Sequence, residues 1–373
     1  GSGGSHPRSI TRPGPILIVP RVRRFHNTHW DDTRSSWSRW VFALDPIRYD
    51  HRMATEEFID SRKVGLALGS GGARGAAHTG VLKILEREGI PISVVAGASI
   101  GALVGAAVAV GVPVEELERE WLITDARRLF RSFLPTFPRA GLTTGGELRK
   151  FLVDVLGTAD IEDLPIPFAA VACNIDTGEE VVLREGSLVD AVRASSAIPG
   201  IFPPVRQGKR LLVDGGLVDP VPVQTCRELG AEFVIAVDVA PRPVPTSQGG
   251  RNAWERIGDH LRDGLTHQTW IPNSLAELLD SLFRERPERP LPGVYSILNQ
   301  SVSILIQELL RAKLAADPPD LLIRPDLSLT IMSYLQAKEG IAAGERAAEA
   351  ALPELQRRLG TRHEPPSGST LPA

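Results

Sequence analysis

The chain has 373 residues, 42% apolar and 23% charged, with a formal net charge of −3. That length suits one large domain or two small ones, and the balance is that of an ordinary globular protein. A net charge of −3 gives no case for nucleic acid, which would call for a basic surface or stripe. Its two cysteines, Cys173 and Cys226, form no CxxC pair or Cys/His cluster that would hold zinc.

Both cysteines read as reduced core thiols, which fits a cytoplasmic protein. Gly1 to Ser5 reads as a linker, and residues 1–60 as a partly ordered arm rich in Arg and Trp (Trp30, Trp37, Trp40). Such an arm either covers apolar surface of the main domain or rests on a membrane surface, where both residue types are at home. The early apolar run Pro15 to Val19 is too short for a secretory signal core.

From Val64 short apolar strands alternate with helical stretches. Val64 to Ser70 reads as a buried strand, and Arg74 to Glu88 as a helix through Ala77, Val81, Leu82 and Leu85 that Gly89 stops. Ile92 to Ser99 and Ile100 to Val110 form the next strand and helix. The stretch Val94 to Val114 carries no charge over nearly the length of a bilayer crossing, with glycines at 97, 101 and 105. Its Ala, Gly and Val content favours a buried strand and helix over a membrane span. PFAAVACNI and EEVVLRE pair around Asp176-Thr177-Gly178. Ser187 to Ile198 is helical, and Arg210 to Gly216 and Phe233 to Ala240 are further strands.

Residues 241–295 break the rhythm and read as an insertion or lid, with amphipathic helices near Trp254 to Leu265 and Ser274 to Phe283. Over 296–352 follow a helix at Val302 to Leu314, a late strand in DLLIRPDL and an Ala/Glu-rich helix from Ser333 to Leu352. Residues 353–373 read as a tail, disordered past Arg362. This alternation predicts an α/β three-layer sandwich whose central, mostly parallel sheet carries helices on both faces.

Gly97-Ala98-Ser99-Ile100-Gly101 fits G-x-S-x-G between a strand and a helix, the setting of a nucleophile elbow. Glycines on both sides let strand and helix approach closely, and the helix N-terminus favours negative charge at the serine. The turn from Gly69 through Gly71, Gly72 and Arg74 to Gly75 offers backbone N–H groups for an oxyanion. Such donors can contribute about 3 kcal/mol each. A dinucleotide phosphate is the rival use, but the glycines miss the GxGxxG spacing and no P-loop Gly-Lys-Ser/Thr follows. For the base, His260 and His267 fall in the irregular insertion, His363 in the tail, and His78 reads as a packed helix residue. Asp214, before Gly215 and Gly216, stands instead at a strand end, where an open α/β sheet places its site.

These blocks resemble the patatin-like phospholipases. LALGSGGARGAAHTGVLKILEREGI resembles the family's oxyanion strand and helix, VAGASIGALVGA its elbow, ASSAIPGIFPPV its middle block and LVDGGLVDPVPV its Asp-Gly-Gly block, all in order. The match covers roughly Lys63 to Ala240, so 63–240 is taken as the catalytic core. It reaches the C-terminal helix more weakly, over residues that complete the domain.

The resemblance implies a Ser–Asp dyad: Ser99 as nucleophile, Asp214 as general base, Gly71 and Gly72 at the oxyanion hole, and Arg74 and Gly75 shaping the loop. It also implies no metal or cofactor, an acyl-enzyme, and a structural role for Ala194 to Pro204 beside the acyl channel. Many members have Gly where this chain has Ser70. The implied substrate is a phospholipid or lysophospholipid ester met at a membrane or micelle surface, which puts the protein in the cytoplasm, in peripheral contact with the inner face of the membrane. A Ser–His–Asp esterase using His260 or His267, and a non-catalytic lipid-binding member, are the competing readings. Oligomeric state is not legible in the sequence.

Overall fold

The computed structural model describes residues 62–123, 146–242, 294–327 and 336–360. Its centre is an eight-stranded sheet. In chain order the strands are β1 (Val64–Leu68), β2 (Val94–Ala98), β3 (Phe168–Asn174), β4 (Glu180–Leu183), β5 (Val205–Gln207), β6 (Arg210–Asp214), β7 (Phe233–Val237) and β8 (Leu321–Ile323). The helices are α1 (Ala76–Arg87), α2 (Ile100–Val110), α3 (Val114–Ile123), α4 (Gly146–Leu156), α5 (Leu188–Ser195), α6 (Val223–Glu228), α7 (Val294–Ala316) and α8 (Ala337–Leu359).

β8, β7, β1, β2 and β3 run side by side, all parallel. β4 and β6 pair antiparallel with β3, and β5 pairs antiparallel with β6. Residues 170 and 171 of β3 pair with both β2 and β4, whereas 172 and 173 pair with both β4 and β6. One residue has only two edges, so β4 lines one edge of β3 while β2 and β6 succeed each other along the other.

The alternation of side chains explains the layers. Leu66, Leu68, Val95, Phe168, Phe233 and Ile235 form one buried cluster with α1, α2, α5 and α8. Their neighbours Ala67, Val94, Ala96, Val234 and Ala236 form a second cluster on the other face with Val223 and Cys226 of α6 and Leu310 and Leu314 of α7. Each fully buried Leu, Ile or Phe contributes about 1.5–3 kcal/mol. The expected three-layer sandwich is therefore present. The uncharged run from Val94 resolves into β2 and α2, and among the described residues no helix is long and apolar enough to cross a membrane.

Several elements differ from the sequence reading. The helix expected from Arg74 begins as a separate 3-10 turn, Gly72–Gly75, because Gly72 has a left-handed φ of 58°. The helix expected to end at Leu352 continues through Pro353 to Leu359 and stops at Gly360, whose φ is 75°. The tail expected from 353 thus gives its first residues to α8. α1 and α8 cross in close contact: a Cβ at Gly80 would lie 2.0 Å from the Ile341 carbonyl oxygen. α3, α4, α6 and the β5–β6 hairpin were not foreseen. The N-terminal arm, most of the 241–295 segment with its two expected helices, and residues 361–373 lie outside the described residues.

Candidate active site

β2 ends at Ala98, and Ser99 turns the chain into α2. Ser99 has φ 55° and ψ −121°, and it is the sole non-glycine residue with positive φ among the described residues. A serine pays to sit there, so the surrounding structure has to impose the turn. Close approach on both sides does so. A Cβ at Gly97 would lie 2.3 Å from the Gly101 carbonyl oxygen, and one at Gly101 would lie 2.1 Å from that of Leu68. No other residue type fits either position without moving backbone.

β3 supplies the ruler that sets Ser99 beside Asp214. Ala98, the last residue of β2, is level with Val171, and Asp214, the last residue of β6, is level with Ala172. Because β2 and β6 share one edge of β3, the two strand ends meet head to head. The Ser99 hydroxyl donates to Asp214 Oδ2 at 2.5 Å, and both residues are buried. The other carboxylate oxygen, Oδ1, accepts the Gly216 N–H at 2.8 Å. The Asp-Gly-Gly sequence thus fixes its own carboxylate through the 3-10 turn that follows it, Gly215–Leu217. Burial pushes the Asp214 carboxyl from 3.8 up to about 6, against the hydrogen bonds from Ser99 and Gly216, which pull it down. Ionised Asp214 in turn helps burial push the Cys173 thiol upward.

The glycine loop lies beside this pair. Gly75 abuts α2, where a Cβ would fall 2.2 Å from Ile100 Cγ1. Gly69 N–H donates to Val237 O and Ser70 N–H to Pro220 O, which ties the loop to β7 and to the segment before α6. Arg74 is buried, and its Nε donates to Val239 O at 2.9 Å. Burial, with repulsion from Arg242, lowers its guanidinium to about 10, so it remains charged at neutral pH. The sequence-predicted residues Gly71, Gly72, Arg74, Gly75, Gly97, Ser99, Gly101, Asp214, Gly215 and Gly216 therefore gather at the carboxyl end of the sheet.

His78 does not join them. It is fully buried in α1 and bonds through Nε2 to the Gly69 carbonyl at 2.8 Å, while Nδ1 has no partner. A carbonyl only accepts, so Nε2 carries a proton, and burial keeps the ring neutral at pH 7. Burial lowers its pKa to about 4. His260, His267 and His363 lie outside the described residues.

Two features were missed in the sequence. Ser195, in the segment that the resemblance puts beside the acyl channel, points its hydroxyl at the elbow, accepting from Ser99 N–H at 2.9 Å. Asp219 is buried with Oδ1 unpartnered, and Lys313 Nζ stands 3.9 Å from its Oδ2. Burial raises it to about 7, with Lys313 opposing.

The family model described as patatin-like phospholipase matches residues 66–227, a span that contains Ser99 and Asp214. An NTE family protein of Mycobacterium tuberculosis is 31% identical over 336 residues, which cover 78% of this chain and 92% of that one. The chain belongs to the patatin-like phospholipase family. It is accordingly an enzyme of the lipid acyl hydrolase class. Two animal proteins also match this patatin-like chain. Neuropathy target esterase of Drosophila melanogaster is 37% identical over 239 residues, 62% of this chain and 16% of the fly protein. A patatin-like phospholipase domain-containing protein of Caenorhabditis elegans is 41% identical over 234 residues, 60% of this chain and 16% of that one.

Proposed function

We propose that this enzyme hydrolyses carboxylic esters of phospholipids or lysophospholipids through a Ser99–Asp214 dyad. The observation that carries the reading is the 2.5 Å contact between the Ser99 hydroxyl and a buried, elevated carboxylate. Asp214 Oδ2 takes the Ser99 proton as Oγ bonds to the ester carbonyl carbon. The carbonyl oxygen becomes an oxyanion held by the N–H groups of Gly71 and Gly72, which among the described residues make no backbone hydrogen bond. The intermediate collapses, the C–O bond to the alcohol breaks, and Asp214 returns the proton to the departing alkoxide. Water then attacks the acyl-serine, with Asp214 accepting its proton and Ser99 leaving as the alcohol.

A carboxylate near 6 suits this duty. It is largely ionised at neutral pH, yet holds a proton far better than an ordinary aspartate. Long-chain substrates lie in bilayers or micelles, so the enzyme works at such a surface as a peripheral protein. The test is a fluorophosphonate probe together with a panel of p-nitrophenyl esters, lysophospholipids and diacyl phospholipids. Wild type should be labelled and release fatty acid; Ser99→Ala should do neither, and Asp214→Asn should keep only a residual rate of both, about 10²–10⁴-fold lower. The rival Ser–His–Asp arrangement requires His260 or His267. Full activity in the His260→Gln/His267→Gln double variant removes it, and loss of activity there overturns the dyad.

A further inference from the structure

The C-terminal end of α5 and the turn that follows touch both members of the pair with three consecutive residues. Ser195 is completely buried, with 0% exposure. Its hydroxyl proton goes to Val171 O at 2.5 Å, which leaves its oxygen free to accept the Ser99 N–H at 2.9 Å. Ser196 Oγ donates to the Ser99 carbonyl at 3.2 Å. The Ala197 carbonyl accepts the Asp214 N–H at 3.0 Å. The Ser99 main chain is thus bonded on both sides by adjacent residues of this segment, and the next residue bonds the main chain of its carboxylate partner.

The register explains why such a splint is needed. β2 ends at Ala98, opposite Val171, so the elbow leaves the sheet where the next ladder bond would form. Ser195 inserts its hydroxyl between Ser99 N–H and Val171 O, extending the hydrogen-bonded ladder across the gap. Without it Ser99, already in a costly conformation, would lose the bond that pins its N–H to β3. Asp214 arrives on β6 from the opposite direction, and Ala197 fixes its backbone from the same turn. The turn is itself anchored by α5, whose Leu188, Val189 and Val192 are buried in the larger core cluster.

We propose that Ser195 and Ser196 are positioning residues: the turn Ser195-Ser196-Ala197 splints the elbow to the Asp214 strand and sets the separation of Ser99 Oγ and Asp214 Oδ2. The proposal rests on the dyad reading and deepens it. It also assigns the Ser99 N–H to Ser195, so the oxyanion has to be held by other amides.

The experiment is a double-mutant cycle on the full chain, read as kcat and KM for a short-chain p-nitrophenyl ester and as the rate of fluorophosphonate labelling. Ser195→Ala should lower kcat and the labelling rate by about 100-fold, the scale of a small misplacement of a reacting group. KM should stay within about twofold, because no substrate contact is removed. Ser196→Ala should lower kcat less, by about tenfold. If the serines act by holding Ser99 against Asp214, adding Ser195→Ala to Asp214→Asn should cost nothing further. A kcat unchanged in Ser195→Ala, or an equal loss in the presence and absence of Asp214, overturns the splint. If Ser195→Ala fails to fold by circular dichroism, Ser196→Ala in the same cycle decides on the same two criteria. An Asp214→Asn single variant as active as wild type would instead sink the dyad reading, and the splint with it.

Discussion

The elevated Asp214 carboxyl makes a prediction about pH that an ordinary aspartate would not. The base has to be ionised to accept the Ser99 proton, and its pKa stands at about 6 because burial disfavours the charge. The ionised fraction is then about 90% at pH 7 and about 10% at pH 5. kcat/KM for a soluble p-nitrophenyl ester, which reports the free enzyme, should fall about tenfold between those values and then tenfold per unit below pH 5. A dyad with an unperturbed aspartate would show no fall until near pH 4. A histidine base would also give a limb near neutrality, so the measurement is repeated in the His260→Gln/His267→Gln double variant, where the limb should stay in place. Asp219, which burial raises to about 7, is the other acid titrating nearby. Asp219→Asn should therefore leave the limb where it is. A profile flat from pH 5 to 8, or a limb that vanishes with the histidines, refutes the assignment of Asp214 as base.

Three further outcomes follow from the geometry. The native Asp214 pKa is raised above 3.8, so this group's contribution to stability is greatest below that value and is lost as pH rises through about 6. Roughly two units correspond to about 3 kcal/mol as an upper figure, and Asp214→Asn should melt several degrees higher than wild type at pH 8 while matching it at pH 4. For His78 the shift is the other way: its pKa falls to about 4, so stability is full above its ordinary 6.5 and is lost as pH drops through about 4. Urea titrations of His78→Gln should accordingly lose less stability than wild type between pH 7 and 4, and equal slopes would contradict the buried neutral ring. Gly101→Ala places a Cβ 2.1 Å from the Leu68 carbonyl oxygen, where both neighbours are backbone. It should lower stability by about 1–3 kcal/mol in urea unfolding and abolish fluorophosphonate labelling, whereas an unchanged midpoint would show that the elbow has room.

Much of the core was legible because its signals are local. Buried parallel strands read as short apolar runs, and α2 matched its expected bounds because Ser99 and Gly111 punctuate it directly in sequence. The site glycines could be picked out because close approach leaves so few alternatives at Gly97 and Gly101. What the sequence hid was pairing. β5 has three residues and exists through its hairpin with β6. α6 has six, follows Pro222, and gains its stability from packing against β1, β2 and β7 rather than from its own pattern. Ser195 was hidden for the same reason: the resemblance places Ala194 to Pro204 beside the acyl channel and carries no sign of a bond to the elbow. Only the edge shared by β2 and β6 shows that its hydroxyl fills a missing rung.

For the proposed dyad, that shared edge also accounts for how two residues would perform work usually divided among three. In a Ser–His–Asp triad the carboxylate orients an imidazole, and the imidazole takes the proton. Here β3 brings two strand ends together from opposite directions, so the carboxylate reaches the serine without an intermediary. The proton affinity that an imidazole would bring comes from burial, and the orientation comes from Gly216 N–H on Oδ1, which leaves Oδ2 for Ser99. The first of these devices costs stability through a buried charge. Together they also carry a requirement that a triad meets with a flexible ring. The base has no side-chain torsion to spare, since one oxygen is tied to the backbone, so any drift of Ser99 goes uncorrected. A rigid hold on the Ser99 main chain is then a condition of the proposed chemistry, and the Ser195-Ser196-Ala197 turn, outside the sheet, bonds to both strand ends at once.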